Sequence, residues 1–154
     1  MMMLKYFVFV ALIKLSVSEC PSGWREHGQS CYFFSHDEEY WTGAFEMCRI
    51  IGGQLVEIED EFENSYITSV IASTGREYWI SLSDIVEENR WVWMTSMTPI
   101  TYTNWDNNEP TSVFHGHLEN CVDMHTNGKW NDVTCTTRKF YVCEKQNVGI
   151  DVIG

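Results

Sequence analysis

Hydrophobic and polar positions along this chain follow two different periods. In "WTGAFEMCRIIGG", residues 41–53, Trp41, Ala44, Phe45, Cys48 and Ile51 recur at helical spacing, and Gly52-Gly53 supply a C-terminal stop. In "EDEFENSYITSVIASTG", residues 59–75, the pattern places Phe62, Tyr66, Ile67, Val70 and Ile71 on one face. Acids fill its first turn and Gly75 follows its end, which predicts a second amphipathic helix. Shorter aromatic and β-branched runs read as strands: "QLVEI", "EYWISLSD", "RWVWM", "NCVDMHT", "GKWNDVTC" and "KFYVCEK". From Thr95 to Leu118 neither period holds, and Asn, Asp, Pro and Gly are frequent. So long an irregular stretch inside a compact domain is usually functional. Helices come first, then strands with a long loop region: the fold class is α+β.

The first 18 residues stand apart. "MMMLKYFVFVALIKLSVS" has Lys5, an apolar run from Tyr6 to Ile13, and Ser16 and Ser18 placed for cleavage, and reads as a secretory signal peptide. That run is too short to span a bilayer and no later stretch is long enough, so no stable membrane insertion is expected. Residues 19–145 are then one domain, and 146–154 a short C-terminal tail. Six cysteines in a secreted chain argue for three disulfides, although six allow fifteen pairings. Cys20 and Cys31 bracket a Gly-rich turn, and "CYFF" reads as the second strand of a small disulfide-closed hairpin. There is no CxxC or CxxxC.

Charge narrows the partners. A formal net charge of −12 disfavours nucleic acid, and removal of Lys5 and Lys14 with the signal deepens it. Acidity suits a bound calcium, a mineral surface or plain solubility. No GxSxG, HExxH or phosphate-binding glycine loop occurs, and the chain is not expected to be an enzyme.

"GKWNDVTC" puts Asn131 and Asp132 side by side behind Trp130. On a regular strand they would face opposite ways. Either this is a polar turn beside a buried Trp, or a bent segment aims both oxygens at one hard cation. With "YWISL", "NW" at 104–105, "EPT" at 109–111, "NCV", "KWNDVTC" and "YVCE", the chain resembles the C-type lectin-like domain in its long form, over residues 20 to 145. The resemblance implies the disulfides Cys20–Cys31, Cys48–Cys143 and Cys121–Cys135. It implies a calcium held by the positions matching Glu109, Thr111, Glu119, Asn131 and Asp132, a cis bond before Pro110, and a sugar that binds through two vicinal hydroxyls on that ion. Calcium favours such an oxygen-rich set. Trp24, Trp41, Trp79, Trp91 and Trp130 are assigned to packing.

The resemblance departs at Thr111. Glu-Pro-Asn relatives favour mannose-type sugars and Gln-Pro-Asp relatives galactose, so Glu-Pro-Thr leaves the glycan partner undecided between the two. In "SVFHGHL", Phe114, His115 and His117 match galactose-type loops only loosely, and a plain exposed loop is preferred. Two His without a third ligand are weak evidence for zinc or copper. Asp84 and Glu88 match positions of a second calcium that shares Glu119, weakened by Ser112 and Asn120. The implied function is a secreted, calcium-dependent carbohydrate binder in innate defence. Its rival is a lectin fold that binds protein, ice or biomineral instead. No coiled coil, collagen-like run or spare cysteine occurs, so any homo-oligomer would be non-covalent.

Overall fold

The computed structural model describes residues 20–114 and 116–147. The signal segment, His115 and the end of the tail lie outside them. The elements in chain order are β1 (Arg25–His27), β2 (Ser30–Phe34), α1 (Trp41–Ile50), β3 (Gln54–Leu55), α2 (Glu61–Ile71), β4 (Tyr78–Ser83), β5 (Val92–Trp93) and β6 (Thr98–Pro99). Then follow β7 (Val113–Phe114), β8 (His117–Leu118), β9 (Cys121–Met124), β10 (Trp130–Val133) and β11 (Phe140–Gln146). The order is α+β, as the periodicities predict.

Strand β11 is the hub. It pairs antiparallel with β2 along one edge, and along the other edge antiparallel with β3 and parallel with β4, so the sheet is mixed rather than wholly antiparallel. Beyond β4 the network branches to β5–β6 and to β9–β10, while β7–β8 form a separate ribbon. "QLVEI" contributes only two ladder residues. Its remainder is buried instead, with Val56 N–H donating to the Val142 carbonyl and its own carbonyl accepting from Ser81.

Helix α1 ends as its glycines predict. Gly52 adopts φ +80°, and the N–H groups of Ile51, Gly52 and Gly53 close onto the last turn. Helix α2 begins at Asp60, whose carboxylate accepts the Glu63 N–H at 2.8 Å. Its buried line differs from the predicted face. Asn64, Ile67 and Ile71 point inward, Tyr66 and Val70 are half-buried, and Phe62 is 83% exposed. Phe62 stands two residues, about 200°, from Asn64 and so faces away from the sheet. Asn64 is accepted inside because its amide is fully used. Its Nδ2 donates to the Gly128 carbonyl and its Oδ1 accepts from Trp130 Nε1.

Two apolar clusters flank the sheet. One gathers Ile67, Ile71, Ile80, Leu82, Trp93, Val122 and Trp130. The other joins Trp41, Ala44, Leu55, Trp79 and Tyr141 to the cystines. All six cysteines are paired, as Cys20–Cys31, Cys48–Cys143 and Cys121–Cys135. Cys48–Cys143 ties α1 to β11 across 95 residues, a closure worth about 4–5 kcal/mol in the chain-entropy account. Trp41, Trp79, Trp91 and Trp130 are buried and Trp24 is half-buried, packed on Phe33.

Candidate functional site

The long loop is fastened to the core at its start and folds back at its tip. Trp130, fully buried, packs edge-on against Trp93, Tyr102 and Trp105. Its backbone N–H donates to Asn104 and its carbonyl accepts from Asp106. The chain then passes through Asn108 at φ +69°, a cis Glu109–Pro110 bond and Ser112 at φ +63°. Positive φ at non-glycine residues marks a backbone held by its surroundings. The holder is Asp132. One of its oxygens accepts the Thr111 N–H at 3.0 Å and the other the Ser112 N–H at 2.6 Å.

This fold-back brings three carboxylates together. Asp132 is 1% exposed and Glu119 8%. Thr111 Oγ1 donates to Glu119 Oε2 at 2.8 Å. Glu109 Oε2 is buried with no hydrogen-bond partner. Burial, together with the Asp132 and Glu119 carboxylates beside it, pushes the Glu109 carboxyl up to about 7. A neutral core would not collect charges that repel. A divalent cation would relieve both the repulsion and the orphaned oxygen, so the donor set fits calcium.

Asn131 is less simply placed. β10 pairs with β9 through four successive rungs without a register shift, so the segment is a regular strand, neither the polar turn nor the bent segment. Alternation buries Asp132 and leaves Asn131 half-buried, opposite Asp123. No hydrogen bond ties the Asn131 amide to the other four residues among those described.

Beside this cluster lies Asp84, 1% exposed, with Oδ2 accepting the Asn89 N–H at 2.8 Å and Oδ1 unpartnered. Burial raises its pKa, helped by the Glu88 and Asp132 charges. Asn120 Oδ1 is a further buried, unpartnered oxygen. Glu88 is exposed. Ser112 Oγ donates to Asn89 Oδ1 and so joins the two loops. In the adjoining ribbon, Phe114 is 58% exposed and opposes His117 across a turn with Gly116 at φ +81°.

The family model for the lectin C-type domain matches residues 37–145. The chain belongs to the C-type lectin family. It is 34% identical to a perlucin-like protein of Mytilus galloprovincialis, over 80% of this chain and 81% of that protein. It also matches human C-type lectin domain family 4 member E at 37% identity, spanning 86% of this chain and 60% of that one. Among solved structures, the mouse scavenger receptor C-type lectin carbohydrate-recognition domain superposes with a TM-score of 0.80 at 30% identity, covering 84% of this chain and 100% of that one. A calcium-independent type II antifreeze protein superposes with a TM-score of 0.75 at 27% identity, covering 84% of this chain and 96% of that one.

The pattern of the sequence missed other buried acids. A cavity of about 680 Å³ is lined by Tyr32, Gln54, Glu57, Glu63 and Glu144 among others. Burial pushes Glu144 up to about 7, although Gln54 and the Glu57 N–H both donate to it. In sequence these acids read as solvated positions in a strand and a helix. The packing of β2, β3, α2 and β11 around the cavity encloses them. No described helix is long and apolar enough to cross a membrane.

Proposed function

We propose that this lectin-family domain is a secreted, calcium-dependent carbohydrate binder. The observation that carries the reading is the orphaned Glu109 Oε2 beside Asp132 and Glu119, in a loop whose backbone Asp132 itself pins. Glu109, Thr111, Glu119, Asn131 and Asp132 are the residues that hold the ion. Bound calcium supplies a centre at which two vicinal sugar hydroxyls coordinate. The carboxylates accept the hydroxyl protons and the Asn131 amide donates to a lone pair. Thr111 spends its own proton on Glu119, so one acceptor is already engaged and the mannose-type pattern of hydrogen bonds is altered. Asp84 and Asn120 contribute unpartnered oxygens to a weaker second ion shared with Glu119, with Glu88 at its edge. Three disulfides support an oxidising compartment, and the role we assign there, by analogy with the family, is recognition of glycans in innate defence.

The second reading is a lectin fold turned to ice, mineral or protein. The engagement of Thr111 with Glu119 favours it, as does the likeness to a calcium-independent antifreeze protein. The deciding experiment is retention of the oxidised domain on immobilised glycans in calcium and then in excess chelator. Chelator-sensitive retention on mannose-type or galactose-type sugars is the expected outcome. Failure on every sugar, in a domain that calcium still stabilises, would leave the ion structural and move the second reading to the front.

A further inference from the structure

A second constellation of ligand-bearing side chains surrounds Asp123 on β9 and shares no ligand with Glu109, Glu119 and Asp132. Asp123 on β9 is fully buried, and His125 follows it two residues on. Glu77 immediately precedes β4, the strand that pairs with β9. The side chains of Glu77, Asp123 and His125 each offer one ligand atom within 4.8 Å of the others.

Lys139 Nζ binds Glu77 Oε2 and lies 2.5 Å from Asp123 Oδ2. It therefore takes one oxygen of each carboxylate. The other oxygen of each is turned to His125: Nε2 lies 3.7 Å from Glu77 Oε1 and 3.5 Å from Asp123 Oδ1. Both separations exceed a hydrogen bond. They are close to the spacing of about 3.3–3.4 Å between two ligands on a tetrahedral zinc with bonds near 2.0–2.1 Å. Asp123 Oδ1 has no hydrogen-bond partner despite its burial. On the other ring edge, His125 Nδ1 lies 3.8 Å from Asp106 Oδ2. With a metal on Nε2 the ring proton would sit on Nδ1, the edge that faces Asp106. Glu77 is half-exposed, which gives an ion a route in.

We propose that Glu77, Asp123 and His125 form a binding site for a divalent transition ion of the zinc class, with Asp106 and Lys139 as positioning residues. Imidazole nitrogen separates this chemistry from the all-oxygen loop site, since calcium takes oxygen and zinc takes nitrogen and oxygen together. Lys139 neutralises one carboxylate charge and fixes both carboxylates, leaving a net negative trio for the ion. Three protein donors leave a fourth position to water or an exogenous ligand.

The test is calorimetric titration of Zn²⁺ into the oxidised domain in saturating calcium, so that hard-cation sites do not compete. One equivalent of zinc is expected. His125→Gln should weaken it at least about tenfold, and Asp106→Asn by about tenfold through the lost orientation of the ring. His117→Gln should leave it unchanged. Co²⁺ should give tetrahedral visible absorption in the wild type that His125→Gln abolishes. Should His125→Gln lose its cooperative melt, Glu77→Gln takes its place with the same expectation. No zinc uptake by the wild type, uptake unchanged in the folded ligand variant, or uptake lost in His117→Gln instead would overturn the proposal.

Discussion

The region beneath Trp130 and the loop above it treat buried polar atoms in opposite ways. Below, the buried indole and amide groups are matched: Trp130 Nε1 to Asn64, Asn64 Nδ2 to Gly128, Trp41 Nε1 to Ile80 and Trp79 Nε1 to Glu39. Above, Asp84 Oδ1, Glu109 Oε2 and Asn120 Oδ1 are buried without partners. An unpaired buried polar group costs about 1–3 kcal/mol, and charged groups more. The aromatic core satisfies its own indole and amide groups, whereas on the proposed reading the loop oxygens are satisfied by a cation. The scaffold carries the stability that the site forgoes.

Breaking the core should cost most. Trp130→Ala removes a fully buried ring and its bond to Asn64, and about 3–5 kcal/mol of unfolding free energy should go with it. Denaturant unfolding of the oxidised domain, with and without calcium, checks this. The loss should be the same size in both, since the calcium-free fold already depends on that packing.

The loop should respond in the reverse sense. Calcium at a hundred times its Kd should add about 2.7 kcal/mol to the wild type. Glu109→Gln should abolish most of that gain while leaving the chelated protein no less stable, because it removes a charge crowded by Asp132 and Glu119. Melting curves of both proteins, with calcium and with chelator, measure the contrast. A calcium gain that survives in Glu109→Gln would show that the ion sits elsewhere.

Glu144 sharpens the comparison through pH. Its folded pKa, about 7, lies above the unfolded carboxylate value. A raised pKa means that the folded state holds the proton more tightly. The corresponding stability is fully present below about pH 4.5 and is lost as pH rises through 7. In chelator, the wild type minus Glu144→Gln difference should therefore fall across that window, by on the order of 2–3 kcal/mol. A flat difference would mean that the cavity admits enough water to solvate the carboxylate.

The smallest effect belongs to Phe114. It is 58% exposed, so Phe114→Ser should move stability by less than about 0.5 kcal/mol. A change in glycan retention without a change in melting would assign the ring to the ligand; unchanged retention would make it a bystander.

Much of the framework was legible because its signals are local. Helical spacing located α1 and α2, Gly52 and Gly53 stopped the first, and the aromatic runs became β4, β5 and β11. The resemblance carried the three cystines and the cis bond at Pro110, and it named the residues of the proposed loop site. What it could not carry is which neighbours each side chain meets. Phe62 joined the apolar face by spacing yet faces solvent, while Asn64, polar by type, is buried because two partners wait for both ends of its amide. Asn131 and Asp132, adjacent in the chain, divide between half-buried and buried because β10 keeps a regular pleat.

The sequence by itself determined the α+β class, the helix limits, the loop and the oxygen-rich residues within it, because periodicity, turn chemistry and residue type act over a few neighbours. The tertiary structure alone decided that Asp132 holds the backbone of residues 111 and 112, that Glu63 and Glu144 share a cavity, and that Glu77 meets Asp123 and His125. These groups are brought together by tertiary pairing of residues 20 to 81 positions apart in the chain. Burial and unpaired charge are properties of that pairing, and no single stretch of chain contains them.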